Sequence, residues 1–123
     1  MNGARSILSI SYDESLLRTR EWILKGAGFN VTSAFGFTEA FAHCQNSAFD
    51  LAVIGHSIPK KDQAALIQQL RSHNHTRVLS LCRPGDEPLS GVDHTVEASL
   101  GAEALVEAVK GLLHKNDPDR REH

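Results

Sequence analysis

The chain has 123 residues, of which 41% are hydrophobic and 23% charged, the composition of one soluble globular domain with apolar mass enough for its own core. A formal net charge of −2 gives no electrostatic case for nucleic acid or an anionic membrane surface. The apolar runs are of strand length, far below the roughly 20 residues that cross a bilayer, and the N-terminus lacks a basic-then-apolar secretory pattern. Two cysteines, Cys44 and Cys82, make no disulfide framework, so the expected compartment is the cytoplasm.

Ser6 to Ser11 reads as a first strand, part alternating and rich in β-branched residues. Asp13 to Ala27 reads as a helix with acidic residues at its positive end. Leu16, Arg20, Ile23 and Ala27 form its stripe, widened by Leu17 and Leu24. Arg20 interrupts that stripe, Trp22 falls on its flank with partial exposure expected, and Gly28 supplies the stop. Phe29 to Ala34 is a second strand and Thr38 to Gln45 a short helix, with Cys44 expected to pack in the core or a groove.

Leu51-Ala52-Val53-Ile54 is an unbroken apolar run, as a parallel strand covered on both faces would be. Gly55 ends it, and His56 to Pro59 lies where ligands gather in open α/β sheets, beyond the carboxyl end of a strand. That place holds a glycine and no carboxylate. Asp62 to Ser72 is the next helix, with Asp62 expected as its N-cap. Arg77 to Cys82 is a fourth strand.

Arg83 to Gly91 carries two prolines and two glycines, which suits turns and cannot sustain a multi-turn helix. Val92 to Ala98 is expected as a more polar edge strand, and Gly101 to His114 as an amphipathic helix with Leu105, Val109 and Leu112 on one stripe. Residues 1–114 form one domain on this reading, and 115–123 a polar tail or the start of a linker. Alternation at this spacing implies a parallel five-stranded sheet between two helical layers. The expected fold is a flavodoxin-like doubly wound (βα)5 sandwich, with the helix between the fourth and fifth strands shortened or absent. Of seven histidines only His73 and His75 lie close, and an i, i+2 pair shares no helix face, so no metal and no other cofactor is expected.

From Ser6 to about Leu113 the chain resembles a response-regulator receiver domain of two-component phosphorelay systems. The resemblance rests on the order and spacing of several cues. They are Ile7-Leu8-Ser9-Ile10 before an acidic helix start, Gly28 to Ala34 running on to Thr38-Glu39-Ala40-Phe41, and Phe49 to Ile54. Pro59 and Asp62 follow at the expected distances, and the closing helix fits. The resemblance implies phosphoryl transfer from a histidine kinase to an aspartate, which requires a carboxylate nucleophile, an acidic pair for magnesium, a hydroxyl and a lysine.

This sequence departs from the family at each of those positions. The acceptor position falls on Gly55, the acidic pair on Ser11 and Tyr12 with Asp13 one place later, the hydroxyl on Cys82 and the lysine on Ala98, followed by Ser99 in place of proline. The expectation is therefore a pseudo-receiver, not an enzyme, acting by phosphorylation-independent contact with a protein partner, a histidine kinase or another signalling domain. Ser11, Tyr12, Asp13, Gly55, His56, Ser57, Cys82 and Ala98 should gather at one end of the sheet, either eroded and filled by Tyr12 or remodelled to take a ligand. The alternative from another class is a small-molecule or redox sensor around His56 and Cys82. Phosphoacceptance at His56 would still lack metal and lysine. The Pro84–Pro88 loop is a further binding candidate, against a neutral connection.

Overall fold

The alternation of buried and exposed positions read above becomes two cores on opposite faces of one sheet. The structure is a computed structural model and describes residues 4–73, 76–87 and 89–115. In chain order it comprises β1 (Ser6–Ser11), α1 (Glu14–Gly26), β2 (Asn30–Phe35), α2 (Phe37–Asn46), β3 (Leu51–Ile54), α3 (Lys60–His73), β4 (Arg77–Cys82), β5 (His94–Glu97), a 3-10 turn (Ala98–Leu100) and α4 (Ala102–Lys115). All strand pairs are parallel, in the order β2-β1-β3-β4-β5. This is the expected flavodoxin-like order.

β3 is fully buried because it lies mid-sheet between β1 and β4, which is why its sequence is apolar throughout. Successive side chains point to opposite faces. Leu8, Ile10, Ala52, Ile54 and Val78 pack with Ala40, Cys44, Leu66 and Leu70 of α2 and α3. Ile7, Leu51, Val53, Leu79 and Leu81 pack with Leu24 of α1 and Leu105, Val109 and Leu112 of α4. Asp13 caps α1, its carboxylate accepting the Leu16 N–H at 3.1 Å, and Gly28 turns the chain out with φ +100°.

The bounds of β1, β3 and β4 agree with the sequence reading. β5 is shorter than expected: it begins at His94, and Ala98 belongs to the following turn. Asp62 is not an N-cap, because α3 already starts at Lys60, and its carboxylate is engaged elsewhere. Trp22 is far more exposed than expected, at 79%. Among the described residues no helix connects β4 to β5. The connection is fastened instead by Arg71 of α3, which donates to the Gly91 carbonyl, and by Asp93. His75, Pro88 and the tail beyond 115 lie outside the described residues, as does the His73 side chain.

Candidate functional site

The carboxyl ends of the strands bring the sequence-chosen residues to one end of the sheet, in two groups. The first is a closed hydroxyl network. Ser57 Oγ lies 3.2 Å from Ser11 Oγ and accepts the Tyr12 N–H at 3.0 Å. Ser11 Oγ is also 3.0 Å from both the backbone N–H and the carbonyl of Asp13. The Tyr12 hydroxyl donates to Asp62 at 2.9 Å across to α3, and its ring packs on the α2–α3 core. Burial, then the hydrogen bond to Asp62 and its charge, push the Tyr12 phenol well above its ordinary pKa. The nearby carboxylates are thus committed, Asp13 to the start of α1 and Asp62 to Tyr12.

The second group surrounds an arginine. Arg20 sits in the interior face of α1 with only 6% of its surface exposed. Its guanidinium reaches the space directly over Gly55. A Cβ at position 55 would stand 2.7 Å from Arg20 Nη1 and 3.1 Å from the Ile10 carbonyl oxygen. The glycine is what makes room for the cation. Among the described residues Nη1 has no hydrogen-bond partner. Burial lowers the Arg20 pKa, opposed by the charge of Asp13.

His56, beside it, is held below its ordinary pKa by burial first and then by the charges of Arg20 and Arg83. His56, Arg20 and Ala98 line a cavity of about 370 Å³ between α1, the ends of β4 and β5, and the start of α4. Cys82 lies on the other side of His56, sharing with it a much smaller cavity of about 20 Å³. Among the described residues no group of three or more His, Cys, Asp or Glu side chains is placed to hold a metal ion. No helix there is long and apolar enough to cross a membrane.

The sequence reading expected His56 near Cys82, and the two line one small cavity, but it missed Arg20, whose only signal was a charge on an apolar stripe. Both thiols are held above their ordinary pKa. Burial pushes Cys44 up to about 11, and burial with the charges of Glu97 and Asp86 raises Cys82. Alkylation by iodoacetamide at pH 7, followed by intact mass, is expected to leave Cys44 unmodified in the folded chain and to modify Cys82 more slowly than free cysteine. A Cys82 faster than free cysteine would restore a thiolate–imidazole reading.

No family model matches the sequence. The regulatory protein VanRc of Enterococcus gallinarum is 34% identical over 83 residues, 68% of this chain and 34% of that protein, so the chain spans about a third of that relative's length. Among solved structures, the CheY-like response regulator receiver domain protein of Methanospirillum hungatei superposes with a TM-score of 0.82 at 20% identity, covering 95% of this chain and 99% of that one. A response regulator of Chloroflexus aurantiacus superposes with a TM-score of 0.79 at 23% identity, covering 91% and 99%. The fold is thus the five-stranded parallel α/β fold of CheY-like signalling domains. Within that class the chain is a response-regulator receiver domain.

Proposed function

We propose that this receiver domain signals without phosphorylation, through contact with a protein partner, and that it is not an enzyme. In this reading Gly55 stands at the phosphoacceptor position, and Ser11, Tyr12, Asp13, His56, Cys82 and Ala98 are the remnants of the receiver pocket. The observation that carries the reading is the Arg20 guanidinium lying over Gly55, where a carboxylate would have to stand. Without a carboxylate no acylphosphate forms. Magnesium needs hard oxygen ligands, and the carboxylates nearby are already engaged by the start of α1 and by Tyr12.

The partner is a histidine kinase or another signalling domain in the cytoplasm, and the chain is a regulatory module of a longer protein. Two features support a contact surface away from the usual one. Among the described residues the connection between the fourth and fifth strands holds no helix, where receivers usually carry one, and Trp22 stands exposed on α1. The redox alternative loses support because both thiols are raised and His56 is favoured neutral. The small-molecule alternative keeps one specific observation in its favour, the cavity beside Arg20.

Amide NMR with magnesium and then beryllofluoride, followed by acetyl phosphate with mass analysis, tests the reading. The expected result is no saturable shift at residues 11–13, 55–57 and 82, and no added phosphate. Gly55→Asp is expected to stay unphosphorylated as well, since the new carboxylate meets a guanidinium and the carboxylates nearby are already engaged. An added phosphate on the unaltered chain would overturn the proposal.

A further inference from the structure

We propose that the cavity between α1, the ends of β4 and β5, and the start of α4 binds a small organic monocarboxylate, its carboxylate paired with Arg20 and its apolar body against Leu16, Ile23, Leu81, Val96 and Leu105. The inference does not depend on whether phosphorylation is absent. It rests on an unusual pairing of features. Arg20 is more than nine-tenths buried, its Nη1 has no hydrogen-bond partner among the described residues, and the residue lines a cavity of about 370 Å³, within the range of small-ligand sites. A buried charge without a partner is costly, and a ligand anion supplies the missing partner.

The remaining walls define the ligand's chemistry. Gly101 and Ala102 also line the cavity, so the positive end of the 14-residue helix α4 opens onto it. Gly101 offers that end no capping side chain, and among the described residues no side chain bonds the amides of the first turn. The planar guanidinium fork matches a carboxylate with two parallel hydrogen bonds. Of the two arginines on the wall, Arg20 alone is in no ion pair among the described residues, the charge of Asp13 reaching it only from a distance. Arg83, also on the wall, already lies 3.9 Å from the Asp86 carboxylate, and Glu97 brings a negative charge to the same wall. A doubly charged phosphate would therefore meet repulsion that a single carboxylate with an apolar body largely avoids. The apolar side chains named above exclude a purely polar anion by leaving their own surface uncovered.

The test is an amide-NMR titration of the 123-residue chain with benzoate, with neutral benzamide of the same shape, and with inorganic phosphate. Benzoate is expected to give saturable shifts at the Arg20 Nε–H, at His56 and Ala98, and at residues 101–103. Benzamide and phosphate are each expected to be weaker by at least about tenfold, the loss of one charge-assisted pairing. Arg20→Met is expected to remove the benzoate response. Ala98→Phe, which leaves Arg20 in place and fills the cavity, is expected to remove it too, and guards against a folding defect in the first variant. Equal binding of benzoate and benzamide, phosphate binding as tightly as benzoate, an undiminished response in either variant, or no saturable shift with benzoate would each overturn the proposal.

Discussion

Asp93→Ala is expected to lower the unfolding free energy by about 2–3 kcal/mol, a large loss for a residue outside both cores. Asp93 fastens a connection that holds no helix among the described residues. Its carboxylate accepts the Val78 N–H at 2.7 Å and a guanidinium N–H of Arg71 at 3.0 Å, and lies 3.6 Å from Arg77. Its own N–H donates to the Val78 carbonyl at 2.9 Å. One side chain thus closes the start of the β4–β5 pairing and ties it to α3. The ion pairs contribute little, since Arg71 and Arg77 are each about a third exposed or more. The main effect is the loss of a charge-assisted acceptor for a backbone N–H with little access to water. Asp93→Asn keeps an acceptor for Val78 and is expected to lose no more than about 1 kcal/mol. Urea unfolding of the three proteins measures this through the shift in midpoint. An alanine variant within about 0.5 kcal/mol of the parent would show that the connection holds β5 by other means.

The same residue explains where the sequence reading of the fold stopped. Val92 and Asp93 continue the strand pattern of Thr95 and Val96, so the pattern extends the strand to Val92. In the structure the Asp93 side chain takes the Val78 amide that a neighbouring backbone carbonyl would otherwise take, and the register begins only at Leu79 opposite His94. Local pattern cannot foresee a side chain substituting for backbone. β3 was legible for the opposite reason: a strand covered on both faces needs only apolar residues, and Leu51 to Ile54 are just that. That no helix stands between β4 and β5 among the described residues was legible too, because prolines and glycines forbid a multi-turn helix locally.

The site divides in the same way. Which residues gather at the strand ends follows from the topology and the family resemblance, so Ser11, Gly55, His56, Cys82 and Ala98 were expected there. What fills the site is a tertiary outcome. Arg20 lies 35 positions before Gly55, and nothing local links a charge on one helix to the lack of a side chain on a distant strand end. Helical spacing placed Arg20 on the apolar stripe, where its charge read only as an interruption. The rule that charges avoid interiors fails here because the stem of Arg20 follows the apolar face of α1 and its head finds the gap that glycine leaves.

Arg20→Met should stabilise the chain, by about 1–2 kcal/mol in the absence of ligand. A methionine keeps most of the apolar stem while removing a buried charge whose Nη1 is unpartnered among the described residues. Arg20→Ala should instead destabilise, because it also removes a buried stem on the same helix as the buried Leu17 and Leu24 and enlarges a cavity already of about 370 Å³. Opposite signs for two truncations of one side chain separate the cost of the charge from the gain of the stem. Denaturant unfolding measures both, and a less stable Arg20→Met would mean that the guanidinium is solvated or paired well enough to stabilise the fold. Gly55 supplies the coupling. Gly55→Ala in the parent must displace both Nη1 and the Ile10 carbonyl, with added Cβ distances of 2.7 and 3.1 Å, but in the Arg20→Met background only the carbonyl contact remains. The alanine is therefore expected to cost less there, by roughly 1 kcal/mol in a double-mutant cycle. Strict additivity would show that the guanidinium merely lies near Gly55. Coupling of the expected sign would show that the guanidinium occupies the space over the strand end that a side chain at position 55 would need, as the proposed silence toward phosphate requires.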